Sequence, residues 1–382
     1  MIEAKEALIM SKGLNNLSEL AAAAGLEIAG VAPPTPPAAL VGWLQRRAKE
    51  GRETPFEEKD LQLRLAPERL LPGCRSIIVF GVSHAGPEQE EHPVKGGPRG
   101  EVARFARGPD YHLTLKGRAE RLLELLKKEL PGPLEGRILI DRSPLVEREL
   151  ARQAGLGWIG ENCTLITPAG GSYISLGTLL LNRDLEPDSP LQQDCRRCGR
   201  CREACPTGAL LEPFIIDPHR CLSYITQSAG IVPAALRPLL GARLYGCDRC
   251  QEVCPQNASA GGAVPAPFTF FPARPLLPPI LEITKTEFAR TVGVTAAGWR
   301  GKSILQRNAV IALGNSGNRD AVSALAHLLK CDPRPLLRLH AAWALGNLGG
   351  RQARRHLEQQ LHREEEPAVL EELRLALAPA GP

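Results

Sequence analysis

The chain has 382 residues, a formal net charge of +5 and 43% hydrophobic residues, enough sequence for two or three domains with buried cores. This mild basicity excludes a histone-like protein but permits an RNA partner. Met1–Glu6 lacks the basic segment and apolar core of an export signal, and the chain has no apolar run of about 18 residues to span a membrane, so we expect a cytoplasmic protein.

The first part of the chain is predicted to alternate helices and strands. The apolar patterns predict helices over 6–24, 38–50 and 111–130, a short strand over 26–31 and a buried strand over 75–81. Residues 85–100 are rich in Gly, Pro, Glu and His and are predicted to form an exposed loop.

A candidate functional carboxylate ends the next predicted strand. This strand covers 136–141, and Ser143 and Pro144 then offer an N-cap and a first-turn proline for a helix. An acid at a strand end beside a helix start lies where open α/β folds place ligand-facing residues. Asp141 is therefore a candidate site residue.

Three glycines, Gly155, Gly157 and Gly160, follow this helix. Their density predicts either close backbone approach to a flat or bulky group or merely a tight turn, and the sequence leaves both open. The segment is not a dinucleotide-binding fingerprint, because it follows a helix and not a strand. Residues 163–167 and 173–181 are then predicted to pair as a β-hairpin.

Eight of the eleven cysteines lie between Asp194 and Asn257. The first four follow one another at steps of three, three and four residues and precede Pro206, which is the bacterial ferredoxin pattern. Thiolates are the soft ligands of iron–sulfur clusters, and the fourth cysteine of such a run crosses to the other cluster. The predicted ligands are Cys195, Cys198, Cys201 and Cys254 for one 4Fe–4S cluster, and Cys205, Cys221, Cys247 and Cys250 for the other.

Two other interpretations of these cysteines fit the spacing less well. Four-cysteine zinc sites usually show two separated pairs, without three steps and a Cys-Pro. A disulfide framework requires an oxidising compartment and usually a small secreted domain. Cys74, Cys163 and Cys331 fall outside the pattern and are interpreted as small core residues.

The C-terminal part contains an internal repeat. Ala309–Asn315 recurs as Ala341–Asn347, an offset of 32 residues, and each unit is predicted as two helices joined by a Gly-Asn turn. Because two units are few for independent stability, we expect them to pack on the preceding domain. The predicted fold is α+β, with an α/β domain over 1–185, a ferredoxin-like two-cluster domain over 186–262, and a linker and helical repeat over 263–382.

Several segments together resemble the epoxyqueuosine reductase family, cobalamin-dependent iron–sulfur enzymes of queuosine biosynthesis on transfer RNA. The resemblance spans about residues 55–260, and the terminal repeat, of the HEAT type, completes it. The segments that carry it are Arg64–Pro67, Leu70–Pro72, Ala103–His112, Asp141–Pro144, Ala154–Gly160, Asn162–Pro168, Gly171–Tyr173, the eight cysteines, Cys221–Tyr224 and Tyr245–Cys254.

The resemblance implies a base-off cobalamin bound between the α/β domain and the ferredoxin module. Electrons would pass through the two clusters to cobalt, and the reduced corrin would remove the epoxide oxygen of epoxyqueuosine to give queuosine and water. Asp141 corresponds to the family's proton donor; an opening epoxide generates an alkoxide that needs a proton, and burial that raises the pKa would let a carboxyl hold one near neutrality. By motif position the cobalamin contacts are Arg64, Arg104, Asp141, Gly157, Gly160, Ser223, Cys247 and Asp248.

Four residues depart from the family pattern: Ala66, Phe105, Glu161 and Gln256. None of them is a cluster ligand or the predicted acid. Glu161 places an anion where lysine is usual, which puts in doubt any role of that lysine in holding cofactor or RNA phosphate.

The implied partners are transfer RNA with a queuosine-type anticodon and an external electron donor, such as a reductase or a flavodoxin-type protein. We expect a monomer with no membrane partner. Binding of RNA requires phosphate neutralisation and recognition of an extruded wobble nucleoside. The candidate basic residues are Arg196, Arg197, Arg200, Arg202, Arg300, Lys302, Arg307, Arg338, Arg351, Arg354 and Arg355.

Two alternatives remain at this point. A reductive dehalogenase shares the corrinoid and two-cluster plan, but such enzymes typically carry a twin-arginine export signal and lack a terminal helical repeat. An electron-transfer protein or scaffold without chemistry of its own would bind no cobalamin and would tolerate Asp141→Asn.

Overall fold

The structure is a computed structural model that describes residues 16–84, 96–168, 170–258 and 271–378. The chain falls into two compact units, each assembled from three segments. The first unit comprises the described residues of Met1–Pro87, Asp110–His219 and Arg249–Ala266, and the second those of Glu88–Pro109, Arg220–Asp248 and Pro267–Pro382. Domain boundaries at 185 and 262 stay a prediction. Much of the predicted loop 85–100 and the first part of the helix 6–24 lie outside the described residues.

The secondary structure of the described residues is numbered in chain order. The strands are β1 Ile28–Ala32, β2 Ser76–Ser83, β3 Glu101–Val102, β4 Gly136–Leu139, β5 Trp158–Ile159, β6 Leu165–Ile166, β7 Ile174–Leu181, β8 Leu210–Glu212, β9 Ile215–Ile216 and β10 Arg243–Tyr245. The helices are α1 Leu17–Ala23, α2 Ala38–Lys49, α3 Leu61–Leu65, α4 Tyr111–Glu129, α5 Glu147–Gln153, α6 Arg200–Glu203, α7 Leu222–Gln227, α8 Arg237–Leu240, α9 Arg249–Glu252, α10 Leu277–Glu282, α11 Lys285–Arg290, α12 Lys302–Asn315, α13 Val322–Cys331, α14 Pro335–Leu348, α15 Gly350–Leu361 and α16 Pro367–Leu377. Within these residues, no helix is long and apolar enough to cross a membrane.

A four-stranded antiparallel sheet in the order β1-β2-β7-β4 forms the centre of the first unit. Successive side chains of a strand point to opposite faces, so Ile78 and Phe80 of β2 pack with residues of α1 and α4. Ile77 and Val79 pack on the other face with residues of α5. The two central strands are buried on both faces and are accordingly rich in aliphatic residues. The predicted mixed α/β class is confirmed.

Two predictions about the chain after β4 are wrong. The strand ends at Leu139, so Asp141 lies in a turn beyond it, and the next helix begins at Glu147 and not after Ser143. The Ser143 hydroxyl instead accepts the N–H of Leu145 at 3.0 Å. Such a local side-chain bond competes with helix formation.

The predicted hairpin of 163–167 with 173–181 is also wrong. β6 pairs with β5 as a separate two-stranded ribbon, whereas β7 lies between β2 and β4 in the main sheet. An isolated bridge joins Thr167 to Gly171. Apolar alternation predicts that a segment is extended, but it does not select the strand with which the segment pairs.

The C-terminal helical repeat packs on the 220–248 segment of the second unit, as expected from its short length. Helix α12 contacts α7, α8 and β10. The Asn315 amide donates to the carbonyls of Arg237 and Gly241 at 2.9 and 3.0 Å. Asn347, its equivalent in the second repeat, donates to the carbonyl of Gly314 at 3.0 Å. The first repeat therefore donates hydrogen bonds to the 237–241 segment, and the second repeat donates one to the first.

Arg307 in α12 is fully buried and donates hydrogen bonds to the carbonyls of Ile225, Ser228 and Gly230. The prediction that Arg307 contacts RNA is therefore wrong. Arg351 and Arg355, by contrast, are exposed on α15.

Candidate active site

Asp141 lies at the apex of a three-residue turn between β4 and α5. Its φ is +54°, in the left-handed region that non-glycine residues rarely adopt, and the N–H of Arg142 donates to the carbonyl of Ile140 at 2.5 Å. This is a γ-turn of the rare, strained kind. Such backbone strain costs about 1–3 kcal/mol and persists where the surrounding structure holds it in place, frequently at functional sites.

Two residues at the start of α4 hold the Asp141 carboxylate. Its Oδ2 accepts a hydrogen bond from the Tyr111 hydroxyl at 2.7 Å and lies 3.2 Å from Nε2 of His112. The N-cap residue Asp110 places its Oδ1 2.7 Å from Nδ1 of His112. The imidazole therefore lies between two carboxylates, and its ring stacks on that of Tyr111 with centroids 4.2 Å apart.

Sequence reasoning found Asp141 but assigned no role to Asp110, Tyr111 or His112. The signal was present: the three residues are consecutive, within the family-like segment 103–112, at the start of a predicted helix. What the sequence did not show is that the start of α4 meets the turn after β4.

The hydrogen bonds of this cluster shift the pKa values of His112 and Asp141 in opposite directions. The hydrogen bond to Asp110, and then that to Asp141, raises the pKa of His112 to about 9. Burial acts to raise the pKa of Asp141, but the hydrogen bonds from His112 and Tyr111 outweigh it, so the pKa lies below its usual value. At neutral pH His112 is therefore protonated and Asp141 is ionised. That Asp141 holds a proton when a corrin or a substrate covers it stays a prediction.

Glu147, the first residue of α5, holds the Asp141 turn through a hydrogen bond to its backbone. Its Oε1 accepts the N–H of Asp141 at 3.0 Å. Burial, and then the negative charge of Asp141, raises the pKa of Glu147 to about 8. The site thus carries two protons beside Asp141 at neutral pH, one on His112 and one on Glu147.

The glycines after α5 approach the chain's own backbone. A Cβ on Gly157 would lie 2.2 Å from the carbonyl oxygen of Ile166 across the β5-β6 ribbon, and Gly155 adopts a φ of +66° just after the helix. Tight packing within the chain therefore accounts for Gly155 and Gly157. A contact of Gly157 and Gly160 with cobalamin stays a prediction.

The residues predicted to contact cobalamin are divided between the two units. Asp141 and the two glycines lie in the first unit with Arg64, which forms an ion pair with Glu57 at 3.0 Å. The others lie in the second unit, where the backbone N–H of Arg104 donates to Oδ2 of Asp248 at 2.7 Å. The members of this second group are Arg104, Ser223, Cys247 and Asp248.

One observation fits the cofactor that the resemblance implies. Asn162, in the loop after Gly160, has a buried amide Nδ2 without a hydrogen-bond partner among the described residues. A buried donor of this kind normally finds an acceptor, and the corrin rim carries amide carbonyls.

The first predicted cluster set lies entirely in the first unit. Burial, and then the charges of Cys195 and Cys198, raises the pKa of Cys254, so this late cysteine lies within electrostatic range of the first run. Helices α6 and α9, which carry Cys201 and Cys250, contact each other. None of the eleven cysteines, all of which lie in the described residues, forms a disulfide. No group of three or more His, Cys, Asp or Glu in the described part of the chain surrounds a single-ion site.

Glu161 is turned toward this cysteine run. Its side chain is buried, and Oε2 accepts the N–H of Gly199 at 3.2 Å, between Cys198 and Cys201. Its negative charge, after burial, raises the pKa of Cys201 to about 11. The residue that departs from the family pattern therefore accepts a backbone hydrogen bond from the predicted cluster loop, while its charge disfavours the thiolate of Cys201.

The second predicted set is distributed over both units: Cys205 and Cys250 lie in the first, and Cys221 and Cys247 in the second. The Cys205 sulfur accepts the N–H of Ala209 at 3.3 Å, and the Cys247 sulfur accepts Nε–H of Arg243 at 3.1 Å. Hydrogen bonds of this kind favour the thiolate, which is the form that binds a cluster.

Family models match three parts of the chain. Residues 64–142 match the model described as epoxyqueuosine reductase QueG, DUF1730. Residues 194–257 match a 4Fe-4S double cluster binding domain, and residues 301–378 match HEAT repeats.

Curated relatives and solved structures cover most of the chain. It is 36% identical over 360 residues to the epoxyqueuosine reductase of Bacillus cereus, covering 92% of this chain and 93% of the relative. The Escherichia coli enzyme is 34% identical over 310 residues and 80% of each chain. A crystal structure of epoxyqueuosine reductase with an epoxyqueuosine-modified tRNA-Tyr stem loop superposes with a TM-score of 0.90 at 34% identity, over 95% of this chain and 97% of that chain. A Bacillus subtilis epoxyqueuosine reductase structure, described with its catalytic aspartate loop swung out of the active site, gives a TM-score of 0.89 at 33% identity with the same coverage.

Proposed function

The chain belongs to the epoxyqueuosine reductase family and is an oxidoreductase, and we propose that it reduces epoxyqueuosine to queuosine at the wobble position of transfer RNA. The relative solved with an epoxyqueuosine-modified stem loop supports this substrate. The double cluster domain over 194–257 supplies the path for electrons, from an external donor. Family membership also decides against a dehalogenase.

The cofactor of the reaction, in this proposal, is base-off cobalamin, which when bound supplies the two-electron reduction of the epoxide. The side chains that would hold it are Arg64, Arg104, Ser223 and Asp248, with the Gly157–Gly160 loop and the unpartnered amide of Asn162.

The single observation that carries the mechanism is the Asp110–His112–Asp141 chain with the Tyr111 hydroxyl. Removal of the epoxide oxygen as water consumes two electrons and two protons, and the oxygen must be protonated as the ring opens. The Asp141 side chain is 55% exposed, so it is open to a substrate. A substrate that covers it removes water and disfavours its charged form, which draws the proton of His112 onto Oδ2 across the 3.2 Å contact. Asp141 then hands this proton to the epoxide oxygen, while Tyr111 fixes the direction of the carboxyl group.

The proposal is tested with protein reconstituted anaerobically with iron, sulfide and cobalamin, given a reductant and epoxyqueuosine-containing transfer RNA. Mass spectrometry of the digested nucleosides should show loss of one oxygen with wild type. Asp141→Asn, which keeps the shape and removes the acid, should lower the rate by about 10²–10⁴-fold with unchanged cluster and corrin spectra. Asp184→Asn, an exposed carboxylate paired with Arg75, is the matched control and should convert normally. Loaded wild type that converts nothing would overturn the assignment.

A further inference from the structure

The N–H of Asp141 has a specific acceptor six residues further along the chain. Glu147 begins α5, and its Oε1 lies 3.0 Å from the Asp141 nitrogen. The bond closes the 141–147 loop onto the first turn of the helix. Because the carboxylate of Asp141 is bound on its other side by Tyr111 and His112, Glu147 fixes the backbone while these two fix the side chain.

The conformation held in this way is not one that the chain would keep unaided. Asp141 has a φ of +54°, and γ-turns with positive φ are strained for a residue with a Cβ. Relaxing Asp141 to negative φ would redirect its Cα–Cβ bond and move the carboxylate away from His112. The hydrogen bond from the Asp141 N–H to Glu147 holds the strained form and opposes this relaxation.

We propose that Glu147 is a positioning residue for Asp141: its carboxyl group holds the strained turn in the form that presents the acid to Tyr111, His112 and the substrate. This inference rests on the proposed function, since it assigns Glu147 a role in the same proton delivery.

Charge makes this support dependent on pH. Asp141, Arg148 and His112 are the charged groups that act on Glu147, and burial with the charge of Asp141 outweighs the two cations, so the pKa lies near 8. Below that pH Glu147 is neutral and can lie behind the ionised Asp141 without repulsion. As the pH rises through about 8, Glu147 ionises, and two negative charges then face each other across the turn. The turn is therefore expected to loosen on the alkaline side.

The test uses loaded wild type, Glu147→Ala and Glu147→Gln, with Glu149→Gln as the matched control. Glu149 lies two residues further along the same helix and pairs with Arg152 at 2.6 Å, so Glu149→Gln makes the same substitution without touching Asp141. The first readout is hydrogen exchange of the 136–146 peptide, which reports the Asp141 amide whatever the chemical role of its side chain. Glu147→Ala should expose this amide, whereas Glu147→Gln retains an acceptor oxygen and should keep it protected.

The second readout is single-turnover conversion as a function of pH. Glu147→Ala should slow conversion by about 10- to 100-fold, as small misplacements of catalytic groups do, and Glu147→Gln should restore most of that loss and remove the decline near pH 8. Unchanged exchange and rate in Glu147→Ala would overturn the proposal. If instead Glu147→Ala opens the turn while Asp141→Asn converts normally, the positioning role stands and the proposed proton donor fails.

Discussion

At the scale of single residues, the proton that the proposed mechanism requires on Asp141 lies on its neighbour His112. A carboxylate with a lowered pKa is a poor acid by itself, and His112, held between two carboxylates, compensates by remaining protonated to high pH. The pair acts as one proton-carrying unit, and a titration would report the behaviour of the pair.

His112→Gln should remove this stored proton. The pKa of His112 is raised to about 9, so the imidazolium is fully present at low pH and is lost as the pH rises through about 9. In wild type kcat/KM, which reports the free enzyme, should therefore fall with increasing pH in that range. The variant should be slower on its plateau by about 10²-fold or more and should lack that decline. If His112→Gln keeps the decline near pH 9, a group other than His112 causes that decline.

The sequence predicted residues whose chemistry fixes their spacing, and it missed those brought together by folding. The predicted cysteine ligands and Asp141 are marked by local patterns, whereas His112 meets Asp141 across 29 residues. The positive φ of Asp141 was not predictable from the sequence, because a glycine or asparagine is the usual signal for this conformation. The side chain of Asp141 is 55% exposed, and the hydrogen bonds from His112 and Tyr111 hold its pKa below the usual value; that a bound cofactor buries it stays a prediction.

At the scale of secondary structure elements, long periodic segments were predicted well and short ones poorly. Helices α2 and α4 and strand β2 lie close to their predicted bounds. The β5-β6 ribbon was missed because two-residue strands have no periodicity, and its pairing is fixed by Gly157 lying against Ile166. The same close approach makes Gly157 a packing residue within the ribbon.

Strand β10 places Arg243 against the Cys247 sulfur, and this contact should raise the reduction potential of the cluster that Cys247 is predicted to bind. A cation that donates a hydrogen bond at 3.1 Å to a ligand sulfur favours the more negative, reduced cluster. Arg243→Leu should therefore shift one midpoint potential to a more negative value in a redox titration followed by electron paramagnetic resonance. Arg249→Leu removes the same charge from an exposed pair with Glu252 and serves as the control. Equal shifts in both variants would show a general charge effect with no role for the hydrogen bond.

At the scale of the whole molecule, the helical repeat is part of the second unit's core. Asn308 in α12 donates to the carbonyls of Thr226 and Leu244 at 2.7 and 2.9 Å, and Thr226 in turn accepts the N–H of Gly246 at 2.9 Å. The repeat therefore braces the two segments that carry Cys221 and Cys247.

Asn308→Ala should destabilise the second unit and weaken its hold on iron. Two buried carbonyls lose their donor, which costs about 1–3 kcal/mol each when no water replaces it. The urea midpoint should fall, and the iron content after reconstitution should decline toward that of one cluster. Asn347→Ala removes an amide that joins the two repeats, so it should lower stability without loss of iron. If Asn308→Ala keeps its full iron content, the repeat does not help to hold the cluster ligands in place.

The division of each unit among three segments governs how the protein is made on the ribosome. The nascent chain passes between the two units five times, so neither can close as a contiguous N-terminal domain would during synthesis. Cys254 has to emerge before the first unit can gather its predicted ligands, and α12 before the second unit is braced. Long-range contacts of this kind fold slowly and leave apolar surface exposed meanwhile. We therefore expect the clusters to be inserted after translation is complete. We also expect chaperones to protect the growing chain before the clusters are inserted.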